Sequence, residues 1–93
     1  MKRWRLTRKA RADLADIWTY TANQWGIDQA ERYILQIENE LTGASNGTGL
    51  VRQLEGFWRI KSGHHVCVFR RLSDGEIEVI RILHERMDIG RHL

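Results

Sequence analysis

Three observations on this 93-residue chain predict an α+β fold of order β-α-α-β-β-β, an antiparallel sheet packed on one face by an antiparallel helix hairpin. First, Arg8 to Trp25 and Asp28 to Ala44 place apolar residues at the i, i+3, i+4, i+7 spacing of amphipathic helices. Second, Phe57 to Lys61, His64 to Leu72 and Glu76 to Leu83 are rich in β-branched and aromatic residues. They are separated by Ser62-Gly63 and Asp74-Gly75, dipeptides that signal tight hairpins. Third, Ile77, Val79, Ile80, Ile82 and Leu83 crowd the last run so densely that it is expected at the centre of the sheet, with neighbours covering it.

The elements follow in order. Arg3 to Thr7 alternates charged and apolar residues, which puts Trp4 and Leu6 on one face of a short edge strand. Thr7 then caps the first helix, whose stripe is Ala10, Leu14, Ile17, Trp18, Thr21 and Trp25. Gly26 ends it, and Asp28 with Glu31 three residues later resembles a capping box opening the second helix, with stripe Ala30, Tyr33, Ile34, Ile37, Leu41 and Ala44. So short a connection folds the pair into a hairpin. Residues 43–49, GASNGTG, read as a loop. All four tryptophans are expected in core stripes.

One domain spanning residues 1–93 is expected, since the chain is long enough for one hydrophobic core. No stretch approaches the roughly 18 apolar residues of a membrane helix. The charged N-terminus lacks a leader's apolar segment, so a cytoplasmic location is expected and no membrane partner. Cys67 is the single cysteine, which excludes an internal disulfide and fits a small core residue in a strand. His64, His65, His84 and His92 have no metal-ligand spacing, so neither a metal nor another cofactor is expected.

The formal charge is +3, but Lys2, Arg3, Arg5, Arg8, Lys9 and Arg11 carry six positive charges in the first twelve residues with no acid. Three of them enter the first turn of a helix, where the dipole disfavours cations by a few tenths of a kcal/mol each. An acidic partner, protein or nucleic acid, is implied. The second helix is acidic, with Arg32 against Asp28, Glu31, Glu38 and Glu40, so it does not read as a recognition helix and no sequence-specific nucleic acid binding is expected.

If both hairpins are tight, the faces of the sheet follow. One collects Trp58, Ile60, Cys67, Phe69, Ile80 and Ile82 against the helices, with Arg71 opposite Glu78 and His65 opposite His84. The other collects Phe57, Arg59, Val66, Val68, Arg70, Val79, Arg81 and Leu83. Aliphatic groups interleaved with three arginines suit an acidic amphipathic segment laid across the sheet; the alternative occupant is the chain's own tail. Beyond the last strand, His84, Glu85, Arg86, Asp88, Arg91 and His92 offer, with Arg81, a weak acid–base and phosphate-clamp signal for RNA cleavage.

The stretches WRLTRKARADLADIWTYTANQWG from Trp4, LEGFWRIKSGHHVCVFRR from Leu54 and IEVIRILHERMDIGRHL from Ile77 together resemble the ParE branch of the RelE/ParE toxin superfamily of bacterial toxin–antitoxin pairs. The last segment, with Ile-Arg-Ile-Leu-His followed by Met87-Asp88, is the most specific. The resemblance implies a cognate ParD-like antitoxin whose C-terminal segment wraps the toxin in a hetero-oligomer. It also implies a non-enzymatic protein that poisons DNA gyrase, with no catalytic residues. The alternative it implies is a RelE-like endonuclease that cuts mRNA on the ribosome. Such relatives use a tyrosine or histidine near the C-terminus, whereas the only tyrosines here, Tyr20 and Tyr33, fall in the helices. The toxic contact is expected first on the tail, at His84, Arg86, Met87, Asp88 and Arg91, and second at the basic entrance to the first helix.

Overall fold

The computed structural model describes residues 3–47, 51–54 and 56–93; Lys2 and the last two residues of the predicted 43–49 loop lie outside them. The elements are β1 (Trp4–Leu6), α1 (Arg8–Trp25), α2 (Ile27–Ser45), β2 (Val51–Leu54), β3 (Phe57–Ser62), β4 (His65–Arg71), β5 (Ile77–His84) and a closing 3-10 turn, Ile89–His92. The sheet runs β1-β5-β4-β3-β2. It is antiparallel from β2 to β5, with β1 added parallel to β5. The predicted α+β architecture is present, enlarged by β2, which residues 51–54 do not announce in their composition. β5 is flanked on both sides as expected, although β4 holds the geometric centre.

Thr7 caps α1 as predicted: its hydroxyl accepts from the Ala10 amide at 3.1 Å. The capping box does not form, because α2 starts one residue after Gly26 and Asp28 already lies in its first turn. Gly26 at φ 96° serves as the end of one helix and the cap of the next, a conformation that glycine adopts without the steric cost a Cβ imposes. α2 also runs through Gly43 and Ala44 into Ser45, so the predicted loop begins only at Asn46.

The core joins Trp4, Ala10, Ile17, Ile37, Leu41, Ala44, Ile60, Cys67, Phe69, Ile77, Val79 and Ile82 between the helices and one face of the sheet. Cys67 is fully buried, and burial pushes its thiol up to about 12, which makes it an unreactive packing group. Trp4 and partly buried Trp58 keep the predicted core role, but Trp18 and Trp25 are 36% and 73% exposed. α1 lies along the β5 edge of the sheet, and its helical phase turns these two indoles off the contact line.

Two turn details decide the register. The β3–β4 loop is Gly63-His64, not Ser62-Gly63, with Ser62 paired to His65. That moves every pair by two positions and leaves the faces unchanged, because side-chain direction has period two. The β4–β5 loop is longer than a two-residue hairpin: Leu72 N–H donates to Glu76 O at 2.8 Å, and Gly75 N–H to Leu72 O. This shifts Ile77–Val79 by one residue, so Glu78 pairs with Arg70 and not Arg71, with an ion pair of 2.7 Å. Arg71 instead lies 5.0 Å over the Trp58 ring. An irregularity opposite Val68/Phe69, with Ile80 as the extra residue, then restores the expected pairing, His65 opposite His84 included. Two predicted faces are thereby corrected: Val79 turns into the core, and Ile80 leaves it.

At Gly63, φ is +59° and an added Cβ would sit 2.6 Å from the Tyr33 ring. Gly63→Ala is expected to cost about 1–3 kcal/mol, from left-handed strain and displacement of Tyr33, read as a lowered urea midpoint with unchanged m.

Candidate functional site: the outer sheet face and tail

β1 ends at Leu6, and α1 takes over the exposed edge of β5 beyond it. Thr7 N–H donates to Val79 O at 3.0 Å. The Thr7 hydroxyl donates to Ile80 O at 2.8 Å, and Asp13 Oδ2 accepts from Ile82 N–H at 2.9 Å. One capping threonine and one aspartate thus satisfy backbone groups that a bulged edge leaves open. Asp13 also takes Arg81 in a two-toothed pair, Nε to Oδ2 at 2.8 Å and Nη2 to Oδ1 at 2.9 Å. Both side chains are less than one-fifth exposed. The hydrogen bond to Asp13 raises the Arg81 pKa, against an opposing effect of burial. Asp13 carries a sequence signal: it lies i+3 from Ala10 and i−4 from Ile17, a carboxylate beside the buried stripe that requires a partner.

On the outer face, Val66, Val68 and Leu83 are buried and lie outside the helix-side core. Phe57 and Arg59 are half-buried, and Arg70 is exposed apart from its pair with Glu78. The tail approaches this face. Arg81 Nη1 reaches His92 O at 3.4 Å, and Arg59 lines a hollow of about 410 Å³ with Glu85, Met87, Asp88, Ile89, Gly90 and Leu93. Of the eight residues expected on this face, seven lie there and Val79 does not. Arg81 already has an internal carboxylate.

The predicted tail residues divide likewise. His84 is half-buried, and its Nδ1 accepts from Arg86 N–H at 3.1 Å. The Arg86 side chain is exposed, Met87 is 47% exposed, and Asp88 pairs with Arg91 at 3.5 Å. Among the described residues, no group of three or more His, Cys, Asp or Glu side chains is placed to hold a metal.

The expected pairing of His65 with His84 is part of a larger imidazole cluster at the far end of β4 and β5, whose other members, His64 and Tyr33, sequence spacing did not bring in. The His65 and His84 rings meet edge to face at 5.3 Å, and His64 stacks 6.3 Å from His84. Tyr33 reaches in from α2: its hydroxyl accepts from His64 N–H at 3.0 Å and lies 2.6 Å from His65 Nδ1. With His65 neutral and its proton on Nε2, the phenol donates to Nδ1. Glu85 bonds Lys61 at 2.9 Å and His64 at 2.6 Å, and these two contacts, Lys61 first, hold its carboxyl down to about 2. Burial, then the neighbouring His84 and His64, lower the His65 pKa.

Two pH windows follow. His65 binds its proton less well folded than unfolded, so its contribution is present at neutral pH and is lost as pH falls below about 6.5 toward the lower folded value. The Glu85 contribution is present above 4.5 and is lost as pH falls from 4.5 toward about 2. Thermal melts across pH 7 to 3 are expected to show both declines, with His65→Gln flattening the first and Glu85→Gln the second.

Known proteins place this geometry. Residues 4–89 match the family model described as the ParE toxin of the type II toxin–antitoxin system, parDE. Toxin ParE1 of Caulobacter vibrioides is 39% identical over 97 residues, covering 100% of this chain and 99% of that protein. Toxin ParE1 of Mycobacterium tuberculosis is 34% identical over 95 residues, covering 98% and 97%. Toxin ParE of Escherichia coli is 36% identical over 92 residues, covering 95% and 89%. A chain of the chromosomal ParDE system from P. aeruginosa superposes with a TM-score of 0.68 at 23% identity, covering 90% of this chain and 96% of that one, and so shares the fold. With the family model spanning nearly all of the sequence, the chain belongs to the ParE toxin family of type II toxin–antitoxin systems.

Proposed function

We propose that this toxin acts in the cytoplasm without catalysing a reaction, by binding DNA gyrase and trapping it on cleaved DNA, and that a cognate ParD-like antitoxin silences it. Family membership carries the toxin reading. The outer face supports the antitoxin reading: half-buried Arg59 and exposed Arg70 flank an aliphatic strip, a surface that matches an acidic amphipathic segment. Val66, Val68 and Leu83 are already buried in the free chain. The incoming segment therefore gains from the arginine rim and the hollow beside Arg59, not from bare valines. Arg59→Glu is expected to weaken antitoxin binding about 30-fold by calorimetry while leaving growth inhibition intact.

The ribonuclease alternative requires free acid, base and phosphate clamps. Here Arg81 is held by Asp13, His64 by Glu85, and His84 Nδ1 by the Arg86 amide, which favours the binding reading. The decisive experiment adds the purified chain to gyrase supercoiling and cleavage assays and, separately, to a translating extract. Accumulated cleaved DNA complexes with intact mRNA are the expected result. Cut mRNA with unaffected gyrase overturns it.

A further inference from the structure

The excess positive charge of this protein is confined to one edge. Beyond residue 12, nine basic residues face twelve acids, so the rest of the chain is net negative. The edge comprises Arg5 on β1 and Arg8, Lys9 and Arg11 on the first turn of α1, all exposed. Arg3, also exposed, donates to Asp74 O at 3.0 Å. Two carboxylates near this edge are engaged elsewhere: Asp13, one turn along α1, holds Arg81, and Glu78, paired across from Arg5, holds Arg70. Asp16 lies farther along the helix. The cations also crowd the positive end of the α1 dipole, which is unfavourable until an anion sits there.

From this distribution we infer that the edge formed by Arg5, Arg8, Lys9 and Arg11 is a sequence-indifferent contact for the phosphate backbone of nucleic acid. The character of the surface selects that partner. Among the described residues the large exposed apolar side chains are Trp18, Tyr20, Trp25, Ile27, Leu35, Met87 and Leu93, none of them in residues 3–12. An acidic protein segment or a lipid surface draws much of its binding from apolar burial, which this edge does not offer. A polyanion whose backbone is charged at every step needs only a row of cations, and arginine suits phosphate through its planar fork. The absence of a groove-reading element here fits phosphate contact without base readout. The inference is independent of the gyrase reading, because its test contains no gyrase.

The test measures fluorescence anisotropy of labelled 30-base-pair duplexes of unrelated sequence, and of a single-stranded RNA of equal length, with the purified chain. Four phosphate contacts predict a slope of log K against log [salt] of about −3.6 on duplex DNA, or a loss of about a hundredfold between 50 and 200 mM salt. Arg5→Gln/Arg8→Gln/Lys9→Gln/Arg11→Gln is expected to abolish that slope. Arg32→Gln, which removes one charge from α2, is expected to change affinity less than twofold. All four sites are exposed, so circular dichroism of the variant is expected to match the parent, and its melting temperature to equal or exceed it. Preference for duplex or single strand tells which polymer supplies the phosphates. Salt-insensitive binding, binding unaffected by the four substitutions, or tighter capture by polyglutamate than by either nucleic acid overturns the inference.

Discussion

Asp13→Ala is expected to lower the unfolding free energy by about 2–4 kcal/mol, among the largest effects available to a helix-surface acid in this chain. Two losses combine. Arg81, less than one-fifth exposed, loses the carboxylate that holds it, and Ile82 N–H on the β5 edge loses its acceptor. The lower bound applies if Arg81 swings into water, the upper if it stays against the sheet. For a domain of this size the melting temperature then falls by about 10–25 °C. Asp13→Asn keeps an acceptor for the amide and is expected to cost less than alanine. In a double-mutant cycle, Arg81→Leu added to Asp13→Ala is expected to recover part of the loss, since the stranded charge is gone while the orphaned amide remains. Urea unfolding followed by circular dichroism reads all three. A cost below 1 kcal/mol for Asp13→Ala refutes the role of α1 as the seal on β5.

The second large effect concerns toxicity rather than stability. Met87→Ala/Arg91→Ala is expected to abolish growth inhibition on expression and to weaken gyrase engagement at least 30-fold, with the chain still folded. Met87 exposes an apolar side chain beside cations and buries little in the free chain, the profile of an anchor awaiting a partner. Arg91 is exposed and pairs with Asp88 across one helical turn, an ion pair worth little in water. The readouts are plating efficiency and gyrase cleavage complexes, with circular dichroism as the check on folding. Persistent toxicity would move the target contact off the tail, leaving the basic entrance to α1 as the next surface to substitute.

Much of the molecule is legible in the chain itself. Helix spacing, the Thr7 cap, the edge strand at Trp4–Leu6 and the β3 to β5 strands are each announced by a residue pattern only a few positions long, so local chemistry suffices to place them. The misplacements have a common source. Trp18 and Trp25 satisfy a helical stripe, but the breadth of that stripe depends on what the helix meets. Val79 and Ile80 exchange faces because a longer turn and a bulge, each a one-residue event, invert side chains whose period is two. Tyr33 looks irrelevant in a helix until α2 packs against the Gly63-His64 turn and carries its hydroxyl to His65.

The sequence alone determined that this is an α+β toxin fold with an arginine-bearing outer sheet face and all its excess charge at the N-terminal edge, because hydrophobic period and charge order are written linearly. Tertiary structure alone decided which arginines remain available. Arg81 is held by Asp13, 68 residues away in sequence, and Arg70 by Glu78, whereas Arg5, Arg8, Lys9 and Arg11 stay exposed. Charge pairing over such separations depends on register and on the path of α1 along β5, and neither is fixed until the chain has packed.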